Sequence, residues 1–124
     1  MKYSNDNPIV KLTFEFSLAI IKYVEMLEEK KKYVIAKQLL RSATSIGANV
    51  REAQNAESKA DFIHKMKIAS KEADETQYWL ELCSASENYP TNKELEEKIF
   101  VIIKVLSKII GSSKNKTKIV ELSN

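Results

Sequence analysis

Few of the 124 residues could do chemistry; His64, Cys83 and the acids near them are the candidates. Asp61 and His64 lie three apart, and Glu72 and Glu75 repeat that interval, so on a helix each pair shares a face. A di-metal carboxylate site uses this spacing. It also requires a carboxylate-x-x-His element on each of two helices, with further carboxylates from two more. One histidine in the whole chain cannot supply that within a subunit. A hydrolytic triad fails for the same reason, because no acid–base array surrounds His64 or Cys83. Cys83 falls at an apolar helical position and reads as a small core filler. No glycine-rich phosphate loop is present. The expectation is a non-enzymatic protein without cofactor or metal.

The elements that carry these residues are long helices. Two glycines and two prolines leave little punctuation, and 124 residues can bury one core without disulfide or metal support. In the central stretch Leu39, Ala43, Ile46, Val50 and Ala53 are spaced four, three, four and three, one face of a helix packed on others. Gly47 lies inside that helix at a cost of about 1 kcal/mol against alanine, which implies close approach of a neighbouring backbone. The spacing predicts four helices over about 8–29, 33–55, 59–86 and 92–110 in one domain spanning 1–124. Asn7-Pro8 starts the first helix, Ser58 with Asp61 caps the third, and Thr91 with Glu94 forms a capping box for the fourth. Gly111 ends the fourth helix, leaving 112–124 as a basic flexible tail. The fold class is all-α, an up-down-up-down four-helix bundle.

Two helices carry more apolar surface than one core face needs. Helix one has a core stripe of Ile9, Leu12, Phe16, Ile20, Tyr23 and Leu27, and a second stripe that includes Phe14, Leu18 and Ile21. Helix three has a core stripe from Phe62 through Met66, Ala69, Ala73, Thr76 and Leu80 to Cys83, flanked by Ile68, Trp79 and Leu82. Those six flank residues are the expected oligomer interface, since an apolar side without a covering helix meets a partner. On helix four, Leu95, Ile99, Ile102, Leu106 and Ile109 point inward, with Phe100, Val101, Ile103 and Val105 widening the face.

The net charge of +3 is compatible with a polyanionic partner without demonstrating one, and on composition alone a solvated lysine-rich surface stands ahead of it. Of 20 basic residues only Arg41 and Arg51 are arginine. The candidates for nucleic-acid contact are Lys37, Arg41 and Arg51 on helix two, Lys59, Lys67 and Lys71 on helix three, and Lys114, Lys116 and Lys118 in the tail. Internal ion pairing is the competing role for the helical ones. A lone cysteine, a polar N-terminus and the absence of a long apolar run lead to an expected cytoplasmic location, with no membrane association.

The run Gln38–Ala53, QLLRSATSIGANVREA, followed by a short break and then SKADFIHKMKIASKEADETQYWL from Ser58, resembles a bacterial four-helix-bundle family. Its members include proteins encoded within intervening sequences of 23S ribosomal RNA genes, and it is similar to the accessory variability proteins of diversity-generating retroelements. The resemblance implies the bundle fold and a homo-oligomer, a pentamer in the retroelement proteins. It also implies RNA or DNA as a partner and a reverse transcriptase or other protein as a second. Many members carry Glu-Gly and an arginine-rich run after the Ala-Asn of helix two. This chain has Val50-Arg51-Glu52-Ala53-Gln54-Asn55-Ala56 there, with Lys59, Lys65, Lys67 and Lys71 following. An oligomeric protein–protein adaptor without nucleic acid is the alternative function.

Overall fold

The structure is a computed structural model that describes the backbone of residues 7–123 and the side chains of residues 7–115. Four helices follow one another, α1 (Pro8–Glu29), α2 (Tyr33–Ala53), α3 (Lys59–Ala85) and α4 (Lys93–Ser123). Each packs on its sequence neighbour, and α1 closes on α4. This is an all-α antiparallel four-helix bundle, as the periodicity requires.

The core is where the stripes place it. Leu39, Ala43, Ile46 and Val50 of α2 are fully buried, and Ala53 nearly so. Facing them are Phe16, Ile20, Tyr23 and Leu27 of α1, Met66, Ala69, Ala73 and Cys83 of α3, and Leu95, Ile99, Ile102 and Leu106 of α4. Three polar side chains join this core without an unmet hydrogen bond. Thr13 Oγ1 donates to the carbonyl of Ile9 at 2.8 Å, and Thr76 Oγ1 lies 2.8 Å from the Glu72 carbonyl and 2.9 Å from Ser42 Oγ, linking α3 to α2.

Gly47 has the neighbour its position implies. A Cβ there would meet the Thr13 carbonyl oxygen at 3.5 Å and Ser17 Oγ at 3.6 Å, so α2 passes close to α1 at this crossing. Both ends of the bundle are tied by single hydrogen bonds. Asn7 Nδ2 donates to Gln54 Oε1 at 2.9 Å, in place of capping its own helix, and the Tyr23 hydroxyl donates to the Pro90 carbonyl at 2.5 Å. The charged corner after α1 turns at Lys31, which adopts a left-handed φ of 63°, and Lys32 lies 4.8 Å from the Tyr89 ring centre.

Three local expectations need correction. α4 does not stop at Gly111 but runs on to Ser123. Gly111 has no left-handed φ, and the Ser and Lys residues that follow include no proline to break the helix. Residues 112–123 are therefore helical. The cap of α4 is Asn92, whose Oδ1 accepts the Leu95 N–H at 3.1 Å, so Thr91 and Glu94 do not form a capping box. Asn92→Ala should cost about 1 kcal/mol in a denaturation midpoint while Thr91→Ala changes little; equal effects would contradict the cap. Finally, Phe100 and Val101 do not widen the inward face of α4; both are exposed. At 100° per residue they rotate away from the Ile99, Ile102 and Leu106 stripe.

Candidate nucleic-acid interface

The outer surface of α2 begins the site. Arg41 is not a free cation: Nη1 lies 3.2 Å from Glu72 Oε2, and Nη2 pairs with Glu75 of the same helix, α3. Trp79 Nε1 donates to that same Glu75 carboxylate at 3.0 Å. The Glu72, Glu75 pair therefore clamps an arginine, and among the described residues no group of three or more His, Cys, Asp or Glu is arranged to hold a metal ion. Arg51 places its guanidinium 5.7 Å from the Phe14 ring centre, over the mouth of a groove of about 460 Å³ between α1 and α2. Thr13, Ser17, Thr44 and Gly47 line that groove.

The lysines divide differently. Lys37, Lys59, Lys67, Lys71 and Lys114 are all exposed. Lys65 pairs with Glu52 at 3.4 Å and Lys98 with Glu94 at 3.0 Å. Lys67 of α3 lies against Lys114 of α4, and contact with that second ammonium lowers its pKa from the ordinary lysine value. The side chains of Lys116 and Lys118 lie outside the described residues. So the structure sets Arg51 beside Phe14, places Arg41 in an internal pair, and leaves Lys67 and Lys71 exposed one turn apart on α3. The α2–α3 register that matches Arg41 with two glutamates leaves no trace in the spacing of either helix alone.

The apolar flanks also separate. Phe14, Leu18 and Ile21 are 37%, 49% and 41% exposed, a continuous strip on α1. Leu82 is exposed, whereas Ile68 is partly covered and Trp79 packs against the core beside its glutamate partner. Sequence periodicity missed Met26, Phe100 and Val101 as exposed apolar residues. Their offset from the core stripe was the available signal. Cys83 is buried, and burial pushes its thiol pKa up, which suits a packing residue and not a nucleophile. No helix of the described residues is long and apolar enough to cross a membrane.

These features define a small antiparallel helical bundle with an uncovered apolar strip and separated basic positions. Residues 5–111 match the 23S rRNA-intervening sequence protein family, and the chain belongs to that family. A crystal structure of a protein of unknown function from the S23 ribosomal protein family of Bacteroides thetaiotaomicron is 44% identical, with a TM-score of 0.78. The similarity covers 82% of this chain and 97% of that one. No curated protein matches the chain.

Proposed function

We propose that this family member is a non-enzymatic homo-oligomeric scaffold that binds RNA or DNA weakly through surface lysine and arginine residues. The α1 strip is the observation that carries the oligomer. Three large apolar side chains, four and three residues apart, face solvent in the single chain, and a second copy would remove them from water. A pentamer is the assembly the resemblance implies, and repetition of the basic positions around a ring multiplies weak phosphate contacts. The exposed lysines on α2, α3 and α4 support nucleic acid as the ligand, as does the association of the family with ribosomal RNA genes. A reverse transcriptase or another protein is a further partner, and the cytoplasm is the site of action.

The test is binding to a structured RNA and a DNA duplex across a salt series. Each phosphate contact contributes about −0.9 for duplex or −0.7 for single strand to the log–log slope. The expected slope is several such contacts, smaller when Lys114, Lys116 and Lys118 are replaced. No binding at low salt overturns the nucleic-acid reading. It would favour the protein-adaptor role, which a groove between α3 and α4 also supports: about 280 Å³, lined by Leu80, Ile99 and Phe100 together with Glu81, Glu96 and Glu97.

A further inference from the structure

Two opposite sides of the bundle are left open, and they are unlike. Among the described residues each helix packs only on its neighbours around a square, so the α1–α2 side and the α3–α4 side face away from each other. On the first, Phe14, Leu18 and Ile21 form a ridge beside a trough of about 460 Å³ lined by the small residues Thr13, Ser17, Thr44, Gly47 and Ala48. On the second, half-exposed Phe100 stands beside a groove of about 280 Å³ lined by Leu80 and Ile99. Each side thus offers one apolar ridge and one hollow. The charges at the two hollows are opposite. Arg51 lines the trough, where Glu52 is already paired with Lys65, and exposed Lys37 shares a row of α2 with Thr44 and Arg51. Glu25 lies beyond the end of the α1 ridge. The groove carries Glu81, Glu96 and Glu97, none of them ion-paired among the described residues, while Lys104 rests over the Phe100 ring.

We propose that the α1–α2 side of one copy docks onto the α3–α4 side of the next, so that the chains assemble head to tail. This rests on the homo-oligomeric reading above and adds the surface that receives the α1 strip. Ridges of one helix pair pack into the hollows of the other. Phe100 of one copy enters the trough where Gly47 and Ala48 leave room, and Leu18 and Ile21 of its neighbour enter the groove over Leu80 and Ile99. That docking brings Arg51 to Glu96 and Glu97, which lie one turn before Phe100 on α4. A two-fold contact between α1 strips would instead set Lys37 and Arg51 of one copy against the same side of its partner. It would also leave Phe100 and the α3–α4 groove in water. Unlike surfaces on opposite sides let every copy take two neighbours, so the contact repeats around a ring or along a filament and does not stop at a dimer.

Sedimentation of the full chain and its charge-reversed variants tests this order. Lys37→Glu/Arg51→Glu reverses the first side, and Glu81→Lys/Glu97→Lys reverses the second. Phe100→Asp disrupts the second side by a different route, at a position the folded single chain leaves half in water. Each variant is expected to fall to the mass of one 14.2 kDa chain with its far-UV helical signal kept. The two charge-reversed variants, each unable to associate with itself, should sediment together when mixed. The chain that carries all four reversals should regain the wild-type mass. A wild-type mass retained by both Glu81→Lys/Glu97→Lys and Phe100→Asp overturns the α3–α4 side as the receiving surface, frees its groove for a different protein, and leaves the oligomeric reading standing. Failure of both the mixture and the four-reversal chain to assemble overturns the head-to-tail order in the same way. A wild type that sediments as a single chain overturns this proposal and the oligomeric reading together.

Discussion

Replacing Leu18 and Ile21 together by aspartate is expected to reduce the native mass to that of a single 14.2 kDa chain. Both side chains project from α1 into solvent, 49% and 41% exposed, so the folded chain alone does not need them. Aspartate in an exposed helix position costs roughly 0.7 kcal/mol or less in propensity, which a buried core of four helices can absorb. In an assembly the same positions are covered, and burying unpaired carboxylates there costs several kcal/mol each. The substitution thus separates assembly from folding. Far-UV circular dichroism should keep its helical minimum while sedimentation shows the smaller species. An unchanged native mass would remove the α1 strip as the interface. Phe14 is better left in place, because the Arg51 guanidinium sits over its ring and a double effect would follow.

The largest stability effect is expected at the centre of α2. Leu39 is fully buried, and Leu39→Ala removes its side-chain volume from the middle of the bundle. Leu→Ala at such sites costs about 2–5 kcal/mol, the lost transfer energy plus the cavity left behind. For a chain of this size that lowers Tm by roughly 10 °C or more. Val34, five positions before Leu39 on the same helix and 81% exposed, supplies the contrast. Val34→Ala should leave stability within about 0.5 kcal/mol. Similar shifts for the two would mean that α2 does not face the core as described.

What could be read from the chain was decided by local periodicity. The four–three spacing from Leu39 to Ala53 located a buried face residue by residue, and Ser58 capped α3 as its type and place imply: its side chain accepts the Asp61 N–H at 3.0 Å. The errors arose where two local signals competed. Gly111 carries stop information only when the chain needs a left-handed residue there, and α4 does not. Thr91 and Asn92 are both good caps, and the helix takes Asn92. The contacts that shape the candidate site depend on register between helices. Nothing within α2 says that Arg41 meets Glu72 and Glu75. Such pairs follow from how the helices stack, which one-dimensional spacing does not encode.

Sedimentation of the wild-type chain, alone and mixed with a structured RNA at low and at high salt, tests the central claim most directly. The account predicts a multiple of 14.2 kDa that salt leaves intact, because the apolar α1 strip holds it together. It predicts co-sedimentation with RNA at low salt that is lost at high salt, because lysine–phosphate contacts carry the binding. A single-chain species that never travels with RNA would contradict it.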